Sequence, residues 1–179
     1  MPTTKQAVAA IVRYIGLDEG RVGAVARALT DDSVLPPGAP GKSPDLSPQD
    51  VASLTLGAAL DVPLRAVADT VVAYRALRLE GVPEGAPAGI RSTAGDELDV
   101  MAEIAATGSP EQISRWAKGT ISVVCSWPEI AFASGGTGYT ERFKAGVPGR
   151  WDSRGHRRVV EVNASAFFDV IDDLFGGSK

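Results

Sequence analysis

Residues 33–50 read SVLPPGAPGKSPDLSPQD and separate the helical patterns of the N-terminal third. Prolines at positions 36, 37, 40 and 44 prevent it from continuing a helix, because each removes a backbone donor and fixes φ. Its end is a helix start: Ser47 is placed to cap, and Pro48 takes the first helical position, where its missing N–H costs nothing. The stretch is either a stiff connector between two helices or a wing that projects to reach something. The residues alone leave both open.

Upstream lie two short helical patterns. In TTKQAVAAIVRYIG, Thr3 and Gln6 have the spacing of a capping box, and Val8, Ile11, Val12 and Ile15 form one apolar stripe that Gly16 ends. Asp18 is placed to cap the next helix, where Val22, Val25, Ala26 and Leu29 repeat the spacing. Two helices joined through a glycine turn make a helix-turn-helix signature. Downstream of Ser47, Val51, Leu54 and Ala58 supply the buried face of a third helix. A fourth is expected in DVPLRAVADTVVAYRALRL, capped by Asp61, with Leu64, Val67, Val71 and Tyr74 inward and Arg65 and Asp69 as an i,i+4 pair.

EGVPEGAPAGIRSTAG (Glu80–Gly95) reads as a linker. The expected organisation is a unit at 1–80, a linker at 81–95, and a small α+β unit at 96–179 that serves oligomerisation or partner binding. In that last unit Leu98, Met101, Ala102 and Ala105 mark a fifth helix, and Ser109-Pro110 opens a short sixth with Ile113, Trp116 and Ala117 inward. The period then changes. TISVVCSW, EIAFAS and RRVVEVN read as strands, GGTGYTERFKAGVPGRWDSRGH as a loop, and NASAFFDVIDDLFGG as a closing helix. The fold class is mainly α with a small C-terminal antiparallel β part, an α+β chain.

Composition narrows the function. The chain has 179 residues, 44% hydrophobic and 22% charged, with net charge −4, one cysteine and one histidine. An internal disulfide and a cysteine-built zinc site are excluded, and no cofactor is expected. Cys125 lies in an apolar, strand-like run and reads as an inert thiol, and His156 reads as a surface residue. GGTG at 135–138 lacks the Lys-Ser/Thr of a phosphate loop. No acid/base pair or nucleophile constellation is visible, so the chain reads as a non-enzyme. With no apolar run long enough to span a bilayer and no signal peptide at its start, it is expected to be cytoplasmic, without a membrane partner.

Two clusters could contact nucleic acid. On the second helix Arg21, Ala24 and Arg27 lie off the apolar stripe, with both arginines at its rim. Farther on, Arg142, Lys144, Arg150, Arg154, Arg157 and Arg158 are interleaved with Phe143, Trp151 and His156, a pattern that can hold phosphates and stack bases. The plainer alternative is a solvated hairpin loop whose arginines pair with the acidic last helix.

The order helix, glycine turn, helix, VLPPG, polar loop and LSPQD resembles the winged helix-turn-helix of MerR-type regulators over residues 5–60. Val34-Leu35-Pro36-Pro37 match the exit from the recognition helix, Gly41 and Lys42 fall at the wing, and Ser47 to Asp50 match the following helix start. The chain departs from that pattern at GAVARAL, where the aromatic pair is absent, and in GAPGKSPDL, which lacks the usual arginine and tyrosine. The resemblance implies a DNA-binding transcriptional regulator, of a kind common in phage-derived gene clusters. Arg21, Ala24 and Arg27 would then face double-stranded DNA, with Gly41 and Lys42 as wing contacts. It also implies a homodimer, for which the helix at 62–79 and the C-terminal unit, with Phe167, Phe168 and Phe175, offer apolar surface. The alternative is a non-enzymatic protein-interaction or assembly module on a winged-helix scaffold.

Overall fold

A computed structural model describes residues 1–38, 44–83, 87, 92–135, 138–145 and 156–176. The chain is an α+β fold. Among the described residues seven helices run α1 (Thr4–Ile15), α2 (Glu19–Asp31), α3 (Pro48–Ala59), α4 (Val67–Arg75), α5 (Ala94–Thr107), α6 (Pro110–Trp116) and α7 (Ala164–Phe175), with a 3-10 turn (Leu64–Ala66) leading into α4. The strands β1 (Thr120–Val124), β2 (Glu129–Ala133), β3 (Thr140–Lys144) and β4 (Val159–Asn163) form an antiparallel sheet in the order β3-β2-β1-β4.

The helix starts obey local chemistry. Thr3, Ser47, Thr93 and Ser109 each close a capping box with the residue three positions on, and Pro48 and Pro110 occupy the first turns. Gly16 ends α1 at φ +79, a conformation that costs glycine nothing. The buried side of α1 centres on Ala7, Ala10 and Ile11, while Val8, Val12 and Ile15 lie half-buried at its margin. In α2 the expected Val22, Val25, Ala26 and Leu29 are all buried.

The hub is α3, whose residues from Val51 to Ala59 are all buried. A helix apolar all round must be enclosed. It packs on α2, α4 and α5, while α7 packs on α1 and α5. Gly57 permits the closest approach: a Cβ there would stand 3.0 Å from Val25 and 3.2 Å from Val71, one on each neighbouring helix.

Strand alternation puts Ile121, Val123, Ile130, Phe132, Phe143 and Val162 on one sheet face. That face meets Ala52 and Leu56 of α3, Leu98 of α5 and Phe167 of α7 around a void of about 10 Å³. A single core thus runs from Ala7 to Ile171. The segment 81–95, expected as a linker, connects two parts of the chain that share this core. Its last two residues, Ala94 and Gly95, already belong to the first turn of α5.

Asp61 does not cap the fourth helix: the first turn is 3-10, starts after Pro63 and has no side-chain cap, while Asp61 pairs with Arg158 at 2.7 Å. Leu64, expected inward, is exposed because it lies on that tighter turn. Regular helix stops at Arg75, and residues 78–80 leave it to run beside β3, where Leu79 bridges Phe143 and the Glu80 N–H donates to the Arg142 carbonyl. TERFK, expected as loop, is the strand β3. Only its Phe143 is buried, so the apolar alternation that marks a strand is nearly missing. Phe167 and Phe168 lie in the core and Phe175 is partly buried against it, so α7 carries no spare apolar face.

The proline-rich stretch is pinned at both ends. After α2, Ser33 turns left-handed at φ +61, and the Leu29 carbonyl accepts the N–H groups of Val34 and Leu35. Leu35 and Leu46 are both fully buried. The Leu46 N–H donates to the Pro2 carbonyl, and Asp45 bridges Thr3. Residues 39–43, which include the wing positions Gly41 and Lys42, lie outside the described residues.

Candidate functional site

The α1–α2 pair separates the two arginines assigned to DNA. Arg21 points inward along the protein: its Nη2 donates to the Leu60 carbonyl at 2.7 Å and to the Val62 carbonyl at 2.8 Å. Leu60 is the C-terminal cap of α3, where helix geometry leaves carbonyls without N–H partners, so Arg21 serves as the cap that the α3 sequence lacks. Ala24 is half-buried and Arg27 is exposed. Asp18 and Glu19 are exposed at the start of α2, and Asp31 and Asp32 at its end.

The second basic cluster is likewise engaged. Glu129, on β2, is the centre: its carboxylate accepts from Arg142 Nη1 at 3.0 Å, Arg157 Nη2 at 2.9 Å and the indole N–H of Trp127 at 2.8 Å. Its side chain is only 7% exposed, so three donors replace the water it has lost. The Arg157 guanidinium also lies 6.0 Å from the centre of the Trp127 ring, within range of a cation–π contact. Lys144 pairs with Glu80, and Arg158 with Asp61. These partners come from β2 and the residues flanking the fourth helix, not from the acidic last helix expected to supply them. Arg150 and Arg154 lie outside the described residues.

Below Glu129, the hydroxyl of the buried Tyr74 donates toward the carbonyls of Val124 at 2.7 Å and Trp127 at 3.1 Å. Burial is the main cause pushing its pKa to about 12, followed by the electrostatic influence of Cys125 and Glu129. The Cys125 thiol lies 3.8 Å from the Ala59 carbonyl and is half-buried. His156 is exposed. Among the described residues no group of three His, Cys, Asp or Glu is placed to hold a metal, and no helix is long and apolar enough to cross a membrane.

One cleft was not visible in the sequence. It measures about 400 Å³ and opens where α5 and α6 meet the end of the sheet. Trp116, Phe132 and Tyr139 contribute aromatic surface, and Glu97, Glu141 and Arg115 contribute charge. Glu141 is in register with Phe132, which places it on the apolar, helix-facing side of the sheet. Glu97, half-buried on α5, has its pKa raised by burial and by the neighbouring charges of Glu141 and Asp96. The signal for this site was the single carboxylate in an inward register of a strand, and it was legible only once β3 was known to be a strand.

Comparison with protein-family models, with curated proteins and with solved structures finds no match to this chain.

Proposed function

We propose that this protein is a non-enzymatic interaction module that docks a protein partner. The observation that supports this reading is the fate of its cations. Arg21, Arg142, Lys144, Arg157 and Arg158, five of the side chains assigned to nucleic acid, are each bonded to a carbonyl or carboxylate of the chain itself. A duplex is bound chiefly by freeing counterions from its phosphates, which requires cations that are unspent. The exposed carboxylates at both ends of α2 and the net charge of −4 oppose that exchange.

The second reading is a DNA-binding regulator. One feature favours it: Arg27 is exposed on α2 and has no ion-pair partner among the described residues. It would place Arg27 at the groove and Lys42 at a phosphate. Anisotropy titrations with a pool of random duplexes at two salt concentrations separate the readings. The interaction module gives no saturable binding at either salt. Binding that falls steeply with salt and is weakened by Arg27→Ala overturns it in favour of the regulator.

A further inference from the structure

We infer that the cleft between α5, α6 and the sheet is the receptor for an arginine side chain presented by a partner polypeptide. This assignment rests on the interaction-module reading and names the chemistry of its partner.

Glu97 and Glu141 line one cleft from two different elements, α5 and β3, and neither has an ion-pair partner among the described residues. Burial first, and then the charge of Glu141, raise the Glu97 pKa. Elsewhere the chain compensates such charge: Glu129, Glu80, Asp99 and Asp61 each carry a cation. Arg115 also lines the cleft without pairing with either carboxylate, which leaves the lining one negative charge in excess. A guanidinium restores the balance. Its planar fork matches carboxylate geometry, and its faces stack on aromatic rings, which a compact ammonium does less well. The half-buried Trp116 and the exposed Tyr139 supply those rings, and the exposed Val100 supplies apolar surface for the methylene stem. The volume lies at the small end of ligand pockets, about 300–1,000 Å³, and suits one side chain rather than a packed helix.

Calorimetric titration of the full chain with N-acetyl-argininamide and with its neutral isostere N-acetyl-citrullinamide tests the assignment. The arginine probe is expected to saturate, and the citrulline probe to bind about tenfold more weakly or worse. The Glu97→Gln/Glu141→Gln double variant, checked for native circular dichroism, is expected to erase that difference. Equal binding of the two wild-type titrations, or no saturation by roughly 10 mM arginine probe, overturns it without any variant having to fold. Tight binding of free arginine with no response to the capped probe also overturns it, because the occupant would then be a small molecule. Duplex binding is measured separately: its appearance sinks the interaction-module reading, whereas failure of the arginine probe alone sinks only this assignment.

Discussion

The guanidinium of Arg21 holds the carbonyl of Leu60, 39 residues away, at 2.7 Å, and the same nitrogen holds Val62 at 2.8 Å. Hydrogen bonds from a charged donor to partly buried carbonyls contribute about 1.5–3 kcal/mol in total stability terms when they cannot be replaced by water. Arg21→Ala should therefore lower the unfolding free energy by about 1–3 kcal/mol in urea denaturation. Arg27→Ala, at an exposed position of the same helix, should change it by less than about 0.5 kcal/mol. Equal effects of the two substitutions would refute the capping role.

The contrast between these arginines shows how far the sequence could be read. Apolar spacing and capping residues located α1, α2, α3, α5, α6 and α7, because these signals act within a few residues. They also placed both arginines at the rim of α2. Nothing in the local pattern distinguishes a rim arginine that reaches a distant helix end from one that faces water. The same holds for Glu129, which reads as an ordinary charge opening a strand until Arg142 and Arg157 converge on it. β3 escaped for a related reason. It is held by backbone pairing with β2 on one side and residues 78–80 on the other, and backbone pairing leaves no mark on side-chain periodicity.

Glu129 anchors Trp127, Arg142 and Arg157 together. Glu129→Gln keeps the volume but removes the charge that the two guanidinium groups share. Both arginines remain partly exposed and regain some water, so the cost should be about 1–3 kcal/mol rather than the larger loss seen when a deeply buried charge is stranded. Chemical denaturation measures the loss. A blue- or red-shift of tryptophan emission in the folded variant would report the change at Trp127. An unaltered midpoint would mean that the cluster is a surface network of little consequence.

Gly57 offers a test of the packing around α3. Alanine at this position gains about 1 kcal/mol of helix propensity, while its Cβ must press within 3.0–3.3 Å of Val25, Val71 and Leu29. The two effects oppose, and Gly57→Ala should lie within about 1 kcal/mol of the parent. Gly57→Leu has no space on either neighbouring helix and should cost about 1–3 kcal/mol or more through overpacking. A thermal melt of both variants decides: a stable Gly57→Leu protein would contradict the close approach of α2 and α4 to α3.

Tyr74 makes stability depend on alkaline pH. In the unfolded chain its hydroxyl titrates near the ordinary value of 10.0, and in the folded protein at about 12, because burial, then the charges at Cys125 and Glu129, disfavour the phenolate. The folded state holds this proton more tightly. Its contribution is therefore complete below pH 10, declines as the pH rises from about 10 to 12, and is gone above the folded value. A shift of this size corresponds to about 2–3 kcal/mol. Tyr74→Phe removes the titration together with the hydrogen bond to the Val124 carbonyl, so it should be less stable at neutral pH by about 1–2 kcal/mol. The difference between the parent and Tyr74→Phe should then shrink as pH rises through that window and reverse sign near its upper end, since other alkaline groups titrate alike in both proteins. Urea denaturation at intervals from pH 8 to 12 measures it. A constant difference across the window would show that the Tyr74 hydroxyl is not held as the geometry at Val124 and Trp127 requires.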